Sequence, residues 1–447
     1  MGRPSKTQTL VTWLNGERVG TWSIPPHAEP SFTYEESWFS SPAFRSLSLS
    51  LPAIKSNPSI KGAVVNDFFD NLLPDSEIIR KRLQTKFRAS DTGAFALLAA
   101  VGRDCVGAVQ LMPQGEAPEG LDRINATPLD DNGVERILQQ ATATPSALAD
   151  DEEDDLRLSI AGAQEKTALI WHNGGWCKPL QATPTTHIFK LPMGLVGNRR
   201  ADMSTSVENE WLCGRILHAY DIPVAPCDIA VFGQTKALVV QRFDRQLARS
   251  GTHWLRLPQE DFCQATGTPA ARKYEADGGP GMLRIAALLG NAVSRDQDIA
   301  TFLKAQIVFW MLRATDGHAK NFSIFLLAGD RYKMTPLYDV LSAWPVIGQG
   351  PNLIPPQRAK MAMAWLGKNR HYHADSALRR HMTNTMLKCG YGASPGDLID
   401  QITEQTPAIC ERVAAELPPE FPASLAVRIF EGLLESARQL QESPNRS

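Results

Sequence analysis

The chain has 447 residues, 43% of them hydrophobic and 21% charged, with a formal net charge of -2. That length suits two or three folding units with large cores, and the near-neutral balance excludes a globally basic nucleic-acid binder. Seven cysteines (Cys105, Cys177, Cys213, Cys227, Cys263, Cys389 and Cys410) include no C-x-x-C pair. Their number is odd, so neither a disulfide framework nor a zinc site is indicated.

No apolar run reaches the roughly eighteen residues that a transmembrane helix needs. The opening Met1-Gly-Arg-Pro-Ser-Lys6 has no apolar stretch behind its charges, and a lysine stands where a myristoylation signal wants Ser or Thr. The expectation is a cytoplasmic protein without membrane contact.

Taken in chain order, Thr9 to Trp22 places an Asn15-Gly16 turn between two β-rich runs, a strong hairpin signal. Phe68 to Pro74 and Ile78 to Phe87 read as helical, and Cys105 to Met112 as a strand, giving an α+β N-terminal unit over 1–112. Residues 113–155 turn polar, with four prolines and the acidic run Asp150 to Asp155, and read as a connector. A strand-dominated nucleotide-binding part is expected over 156–244, around one helix from Ser206 to Tyr220. A mainly helical lobe follows over 245–447, with Ile299 to Ala314 as a buried helix and Pro422 to Gln441 as an amphipathic one.

The chemistry concentrates in Ala314-Thr-Asp-Gly-His-Ala-Lys-Asn-Phe322, where Asp316 and Asn321 stand five apart directly after the buried helix. That is the spacing of a kinase catalytic loop, in which the Asp accepts the acceptor hydroxyl's proton and the Asn holds magnesium. A second metal-binding carboxylate is expected on a following strand, and Asp339 supplies one. A turn cap, a helix end and a strand end explain the three residues singly; their order and spacing favour the kinase reading. Lys190, in an apolar strand, is the candidate cation for the nucleotide phosphates, oriented by Glu208 or Glu210. Upstream, small residues at Ala161, Gly162 and Ala163 suit a loop that lets backbone approach phosphates. Gln241, Arg242 and Phe243, between the two halves, are the adenine candidates, and His318 is a catalytic-loop residue.

These segments, with Phe68 to Asp75, Gly102 to Val109, Leu257 to Asp261 and Tyr274 to Gly281, resemble the HipA toxin kinases over nearly the whole chain. The resemblance implies a two-lobed, phosphatidylinositol-kinase-like α+β fold, use of ATP with magnesium, and a growth-slowing toxin. Its implied target is a translation component, an aminoacyl-tRNA synthetase of the glutamyl type. It also implies a HipB-like helix-turn-helix antitoxin that carries the kinase to operator DNA.

Position by position, Ser159 resembles the autophosphorylation site, and Ala161, Gly162, Ala163, Gln164, Glu165 and Lys166 the loop over the phosphates. Lys190 resembles the phosphate lysine and Asp316 the catalytic base. His318, Ala319, Lys320 and Asn321 resemble nucleotide contacts, and Asn321 with Asp339 the magnesium ligands. The hinge opens on Gln241 where the family has an acid.

Two other classes stand beside this reading: a nucleotide-binding corepressor without catalysis, and a small-molecule phosphotransferase. The intact Lys190, Asp316 and Asn321 set argues against the first. Finally, the dense basic cluster of Lys368, Arg370, Arg379 and Arg380 is either a solvated face or a set of phosphate contacts to DNA.

Overall fold

The computed structural model describes residues 7–142, 158–162, 164–197 and 200–442. Ala163 and the acidic run Asp150 to Asp155 lie outside the described residues. The Asn15-Gly16 turn forms as expected, with both residues at positive φ (47° and 87°), as a two-residue hairpin turn requires. It joins strands Gln8–Leu14 and Glu17–Ile24.

These are the centre of a five-stranded antiparallel sheet, completed by Ser31–Tyr34 and Ile60–Lys61 on one side and Val109–Pro113 on the other. Helices Ala63–Asp70 and Ala94–Val101 cover the sheet, and Trp22 stacks on Phe69 at 4.2 Å between ring centres. The turn does more than close the hairpin: the Asn15 side chain accepts from the Arg256 amide and donates to the Arg256 carbonyl (2.9 and 2.8 Å), tying this unit to the rest of the chain.

The second sheet has six antiparallel strands in the order Cys227–Phe232, Thr235–Gln241, His187–Lys190, Lys166–His172, Gly175–Pro179, Ala126–Pro128. The last of these, and the helix Asp131–Thr142, come from the polar stretch read as a connector. That stretch is therefore partly structural. Val134 and Leu138, four apart on one helical face, are fully buried against Leu169, Phe189 and Ala237. Their period is easily lost among the prolines and charges around them.

The helix Ser206–Ala219 packs between the second sheet and the C-terminal lobe, which is built on helices Met282–Leu289, Arg295–Leu312, Arg379–Lys388, Pro395–Ala415 and Ala423–Glu442. Arg295–Leu312 is apolar nearly all round over its second half and is the centre of the largest core cluster, with Trp310 wholly buried. The catalytic-loop segment leaves its C-terminal end and leads into a small sheet of Gln259–Asp261, Ser323–Leu327 and Arg331–Met334.

Between the N-terminal unit and the kinase-like part lies a buried ionic network. The Asp104 carboxylate accepts from Arg245 Nη2 (2.9 Å), Arg256 Nε (3.0 Å) and Thr185 Oγ1 (2.7 Å). Asp244 accepts two bonds from Arg242, at 2.9 and 2.8 Å. None of these five charged side chains is more than 8% exposed. Desolvation alone would raise the two carboxyl pKa values, but the guanidinium groups hold both below the usual carboxylate range.

Candidate active site

Antiparallel pairing places Lys166 and Lys190 directly opposite one another, so both side chains project from the same face of the second sheet. Two cations so placed repel, and the structure answers with carboxylates from the far side of a cleft. Lys190 Nζ contacts Glu210 Oε1 (2.6 Å) on helix Ser206–Ala219 and Asp339 Oδ1 (2.7 Å). Glu208 pairs instead with Lys236, so of the two candidates only Glu210 orients Lys190. Burial raises the Glu210 pKa, and the lysine opposes that; Lys190 itself is held firmly protonated by its two carboxylates in spite of its own desolvation.

Lys166 has no carboxylate within ion-pair distance among the described residues. Its Nζ donates to the Ala161 carbonyl at 2.7 Å, and desolvation lowers its pKa to about 8. An ammonium so placed favours an incoming anion.

Asp339 is the meeting point of the lobes. Its backbone adopts φ 61°, which non-glycine residues rarely take. That turn brings its carboxylate to Lys190 on one side and, through Oδ2, to Asn321 Nδ2 at 3.2 Å on the other. Lys190, with Lys166 beyond it, holds the Asp339 carboxyl well below the usual range despite burial.

Asp316 stands across the same cleft, its side chain 65% open, and accepts a hydrogen bond from the Tyr274 hydroxyl. The protein around its carboxyl raises its pKa, partly countered by Tyr274 and Lys273. His318 is buried and kept neutral, its pKa lowered to about 3 by desolvation and by Lys273, and its Nδ1 has no hydrogen-bond partner. The cleft encloses a cavity of about 140 Å³ with two chemically distinct ends. Ile188, Ala225, Val240, Phe243 and Tyr338 line an apolar end; Lys166, Lys190, Asp316, Asn321 and Asp339 line a polar one.

Several expected residues behave otherwise. Arg242 directs its side chain into the buried network, and the Gln241 and Arg242 amides are engaged by the Pro226 and Thr186 carbonyls. Of the hinge candidates, Gln241 and Phe243 line the cleft, Gln241 exposed and Phe243 half-buried, 5.7 Å from the Tyr338 ring. Gln164 donates to the Leu191 carbonyl (2.6 Å) and Glu165 pairs with Arg82, so neither side chain is directed to the cleft. Ala319 is buried in its short turn, and the Lys320 ammonium is engaged by Asn71 Oδ1 (2.8 Å) and Asp261 Oδ2 (3.2 Å). Ser159 is fully buried, its hydroxyl donating to the Leu72 carbonyl at 2.8 Å.

The basic cluster divides. Arg379 is 4% exposed and forms a two-pronged pair with Asp400 (2.6 and 2.7 Å), so it is not a surface contact for DNA. Arg370 is taken up by Glu275, while Lys368 and Arg380 are exposed beside the stacked rings of His371 and His381. Spacing along the chain offered no means of separating them.

Missed from sequence were Asp75, Asp261, Lys273 and Tyr274, which all approach the cleft or its catalytic loop. Asp75, Asp261 and Tyr274 stand in the runs Phe68 to Asp75, Leu257 to Asp261 and Tyr274 to Gly281, which carry the family resemblance but to which spacing alone assigns no role; Lys273 adjoins the last of them.

Two lobes, a hinge-side apolar slot, an ion-paired lysine and an Asp, Asn and Asp set over one cleft define a kinase of the two-lobed type. Comparison with known proteins agrees. The HipA-like C-terminal domain model matches residues 158–417 and the HipA N-terminal domain model residues 10–112. The chain is 36% identical over 341 residues to the putative kinase Y4mE of Sinorhizobium fredii, covering 75% of this chain and 77% of that one. It is 28% identical over 353 residues to the serine/threonine-protein kinase toxin HipA of Shewanella oneidensis, covering 76% of each. The structure of HipA from the Shewanella oneidensis complex with HipB and operator DNA superposes with a TM-score of 0.77 at 24% identity, over 97% of both chains. The chain belongs to the HipA family of serine/threonine kinases.

Proposed function

We propose that the protein is an ATP- and magnesium-dependent serine/threonine protein kinase acting in the cytoplasm as the toxin of a toxin-antitoxin pair. The observation that carries this reading is Lys190, ion-paired at once to Glu210 and Asp339 in a cleft shared with Asp316 and Asn321. In the transfer step the acceptor hydroxyl oxygen bonds to the γ-phosphorus, the bond from that phosphorus to the β,γ-bridging oxygen breaks, and ADP leaves. Asp316 takes the hydroxyl proton; its accessible carboxylate, already receiving one O–H from Tyr274, suits that role.

Asn321 and Asp339 would hold magnesium. The two side chains are adjacent and each carries an oxygen; the Asn321 amide donates to Asp339 and its oxygen accepts from the His318 amide, so a turn of the Asn321 side chain would present that oxygen to an ion that neutralises charge on the phosphates. Lys166 and Lys190 bind the phosphates, and the slot beside Phe243 takes the adenine.

Autophosphorylation at Ser159 fits its place at the start of the loop, but the buried hydroxyl has to leave Leu72 before it reaches any active site. The protein substrate, an aminoacyl-tRNA synthetase of the glutamyl type, and the HipB-like antitoxin with operator DNA rest on family membership. The antitoxin and operator have further support in the Shewanella oneidensis complex, where a HipA of the same fold is assembled with HipB and its operator DNA.

The test is Asp316→Asn. Transfer from labelled ATP should fall by roughly 10²–10⁴-fold with ATP affinity retained. Wild-type transfer by the folded variant would remove Asp316 from this role, and a chain that labels no protein but phosphorylates a small molecule would favour the small-molecule phosphotransferase.

A further inference from the structure

Four lysines enter the cleft, and their partners differ. Lys190 is held between two carboxylates, and Lys320 is closed off by Asn71 and Asp261. Lys166, among the described residues, meets only a carbonyl. The fourth, Lys273, is held by a residue of the N-terminal unit: its Nζ lies 2.7 Å from Asp75 Oδ2. Its side chain is 17% exposed, unusual for a lysine. Its carbonyl accepts from the Ala319 amide of the catalytic loop at 3.3 Å, and the next residue, Tyr274, bonds Asp316. Lys273 therefore sits in the cleft wall beside the residue that would receive the acceptor's proton.

Asp75 closes a turn that grips both sides of the cleft. The Asn71 backbone and side-chain oxygens take the Lys320 ammonium at 3.0 and 2.8 Å. The Leu72 carbonyl takes the Ser159 hydroxyl, and the Asp75 amide donates to the Gly162 carbonyl at 3.0 Å. One five-residue turn thus fastens the phosphate loop, the catalytic loop and Lys273. The second Asp75 oxygen, Oδ1, makes no hydrogen bond but lies 3.9 Å from the Lys320 ammonium, so the Asp75 carboxylate stands between the two lysines on the catalytic-loop side of the cleft.

We propose that Lys273, positioned by Asp75 of the N-terminal unit, is a further catalytic residue that contacts the transferred phosphoryl group, so that the N-terminal unit completes the active site. The proposal rests on the reading of the cleft as the nucleotide site. It assigns the lysines different ends of the triphosphate: Lys166 and Lys190 act from the sheet face, Lys273 from the side of Asp316. Asp75 is a positioning residue, since it acts through the lysine. A purely structural ion pair between the units makes no distinction between nucleotides that differ by one phosphate.

The experiment is titration calorimetry of the full chain, with magnesium, using ADP and a non-hydrolysable ATP analogue. Lys273→Ala should weaken the analogue by about tenfold, as expected for one lost charge-assisted bond, and leave ADP within about twofold. Asp75→Asn should move in the same direction by less, and Lys273→Arg should keep most of the analogue affinity. Equal losses for both nucleotides, or none, would overturn the proposal. Lys273→Ala removes a partly exposed side chain and serves even if Asp75→Asn fails to fold. Failure of the wild-type protein to bind either nucleotide would overturn the nucleotide reading itself, and this proposal with it.

Discussion

Replacing Asp104 by Asn removes one charge from the buried network while keeping its shape. In the native protein three guanidinium groups face two carboxylates there, and the variant leaves Asp244 with Arg242 and Arg245 while Arg256 loses its carboxylate partner. Arg245 and Arg256 both donate to one Asp104 oxygen, so an amide that keeps its oxygen there turns its N–H donors toward the Thr185 amide and hydroxyl, which are themselves donors. Breaking a buried ion pair from one side costs about 3–5 kcal/mol. Because the amide oxygen still accepts one set of bonds, the expected loss is at the lower end, about 3 kcal/mol.

Urea unfolding followed by tryptophan fluorescence at pH 7 measures it. The pH dependence supplies a second check. The Asp104 carboxyl is held below its unfolded value near 3.9, so its stabilisation is complete above that value and is lost as pH falls toward the folded one. The gap between wild type and variant should then be level from about pH 5 to 8 and narrow below about pH 4. A loss under about 1 kcal/mol, far below the cost of an unpaired buried charge, or a gap that widens on acidification, would refute the argument.

Glu210→Gln should lower phosphoryl transfer by at least about tenfold, since one charge-assisted bond is worth at least that factor. Glu208→Gln should leave transfer near wild type, because that side chain pairs with Lys236; equal effects in a single-turnover assay would contradict the pairing. Phosphate on Ser159 brings about two negative charges into a site that has no exposure, so the phosphorylated protein should lose ATP binding while Ser159→Ala keeps it; unchanged ATP affinity after modification would count against this. Arg380→Ala together with Lys368→Ala should reduce the salt slope of operator binding by the antitoxin complex by about 2, one per phosphate contact. Arg379→Ala should instead destabilise the C-terminal lobe in a melting experiment by uncovering Asp400.

Local patterns in the sequence determined a good deal. The Asn15-Gly16 hairpin, the helix after Thr205 and the buried helix before Asp316 each follow from a turn residue or a periodicity confined to a few neighbours. The five-residue spacing of Asp316 and Asn321 was equally readable, because a short loop places both over one cleft. The choice between Glu208 and Glu210 was not, since both lie in the first turns of one helix and only the position of strand His187–Lys190 selects the second.

Burial decided the remainder. Arg379 and Arg380 are adjacent and chemically alike, yet the packing of two helices encloses one against Asp400 and leaves the other in solvent. Arg242, read as a hinge residue, became part of an ionic network whose partners lie 138 residues upstream and two downstream. Asp75 and Lys273 are 198 positions apart and met only when the N-terminal unit docked. Sequence determines what each segment does among its neighbours; which charges share a low-dielectric interior is decided by contacts between distant segments, and these form only in the folded chain.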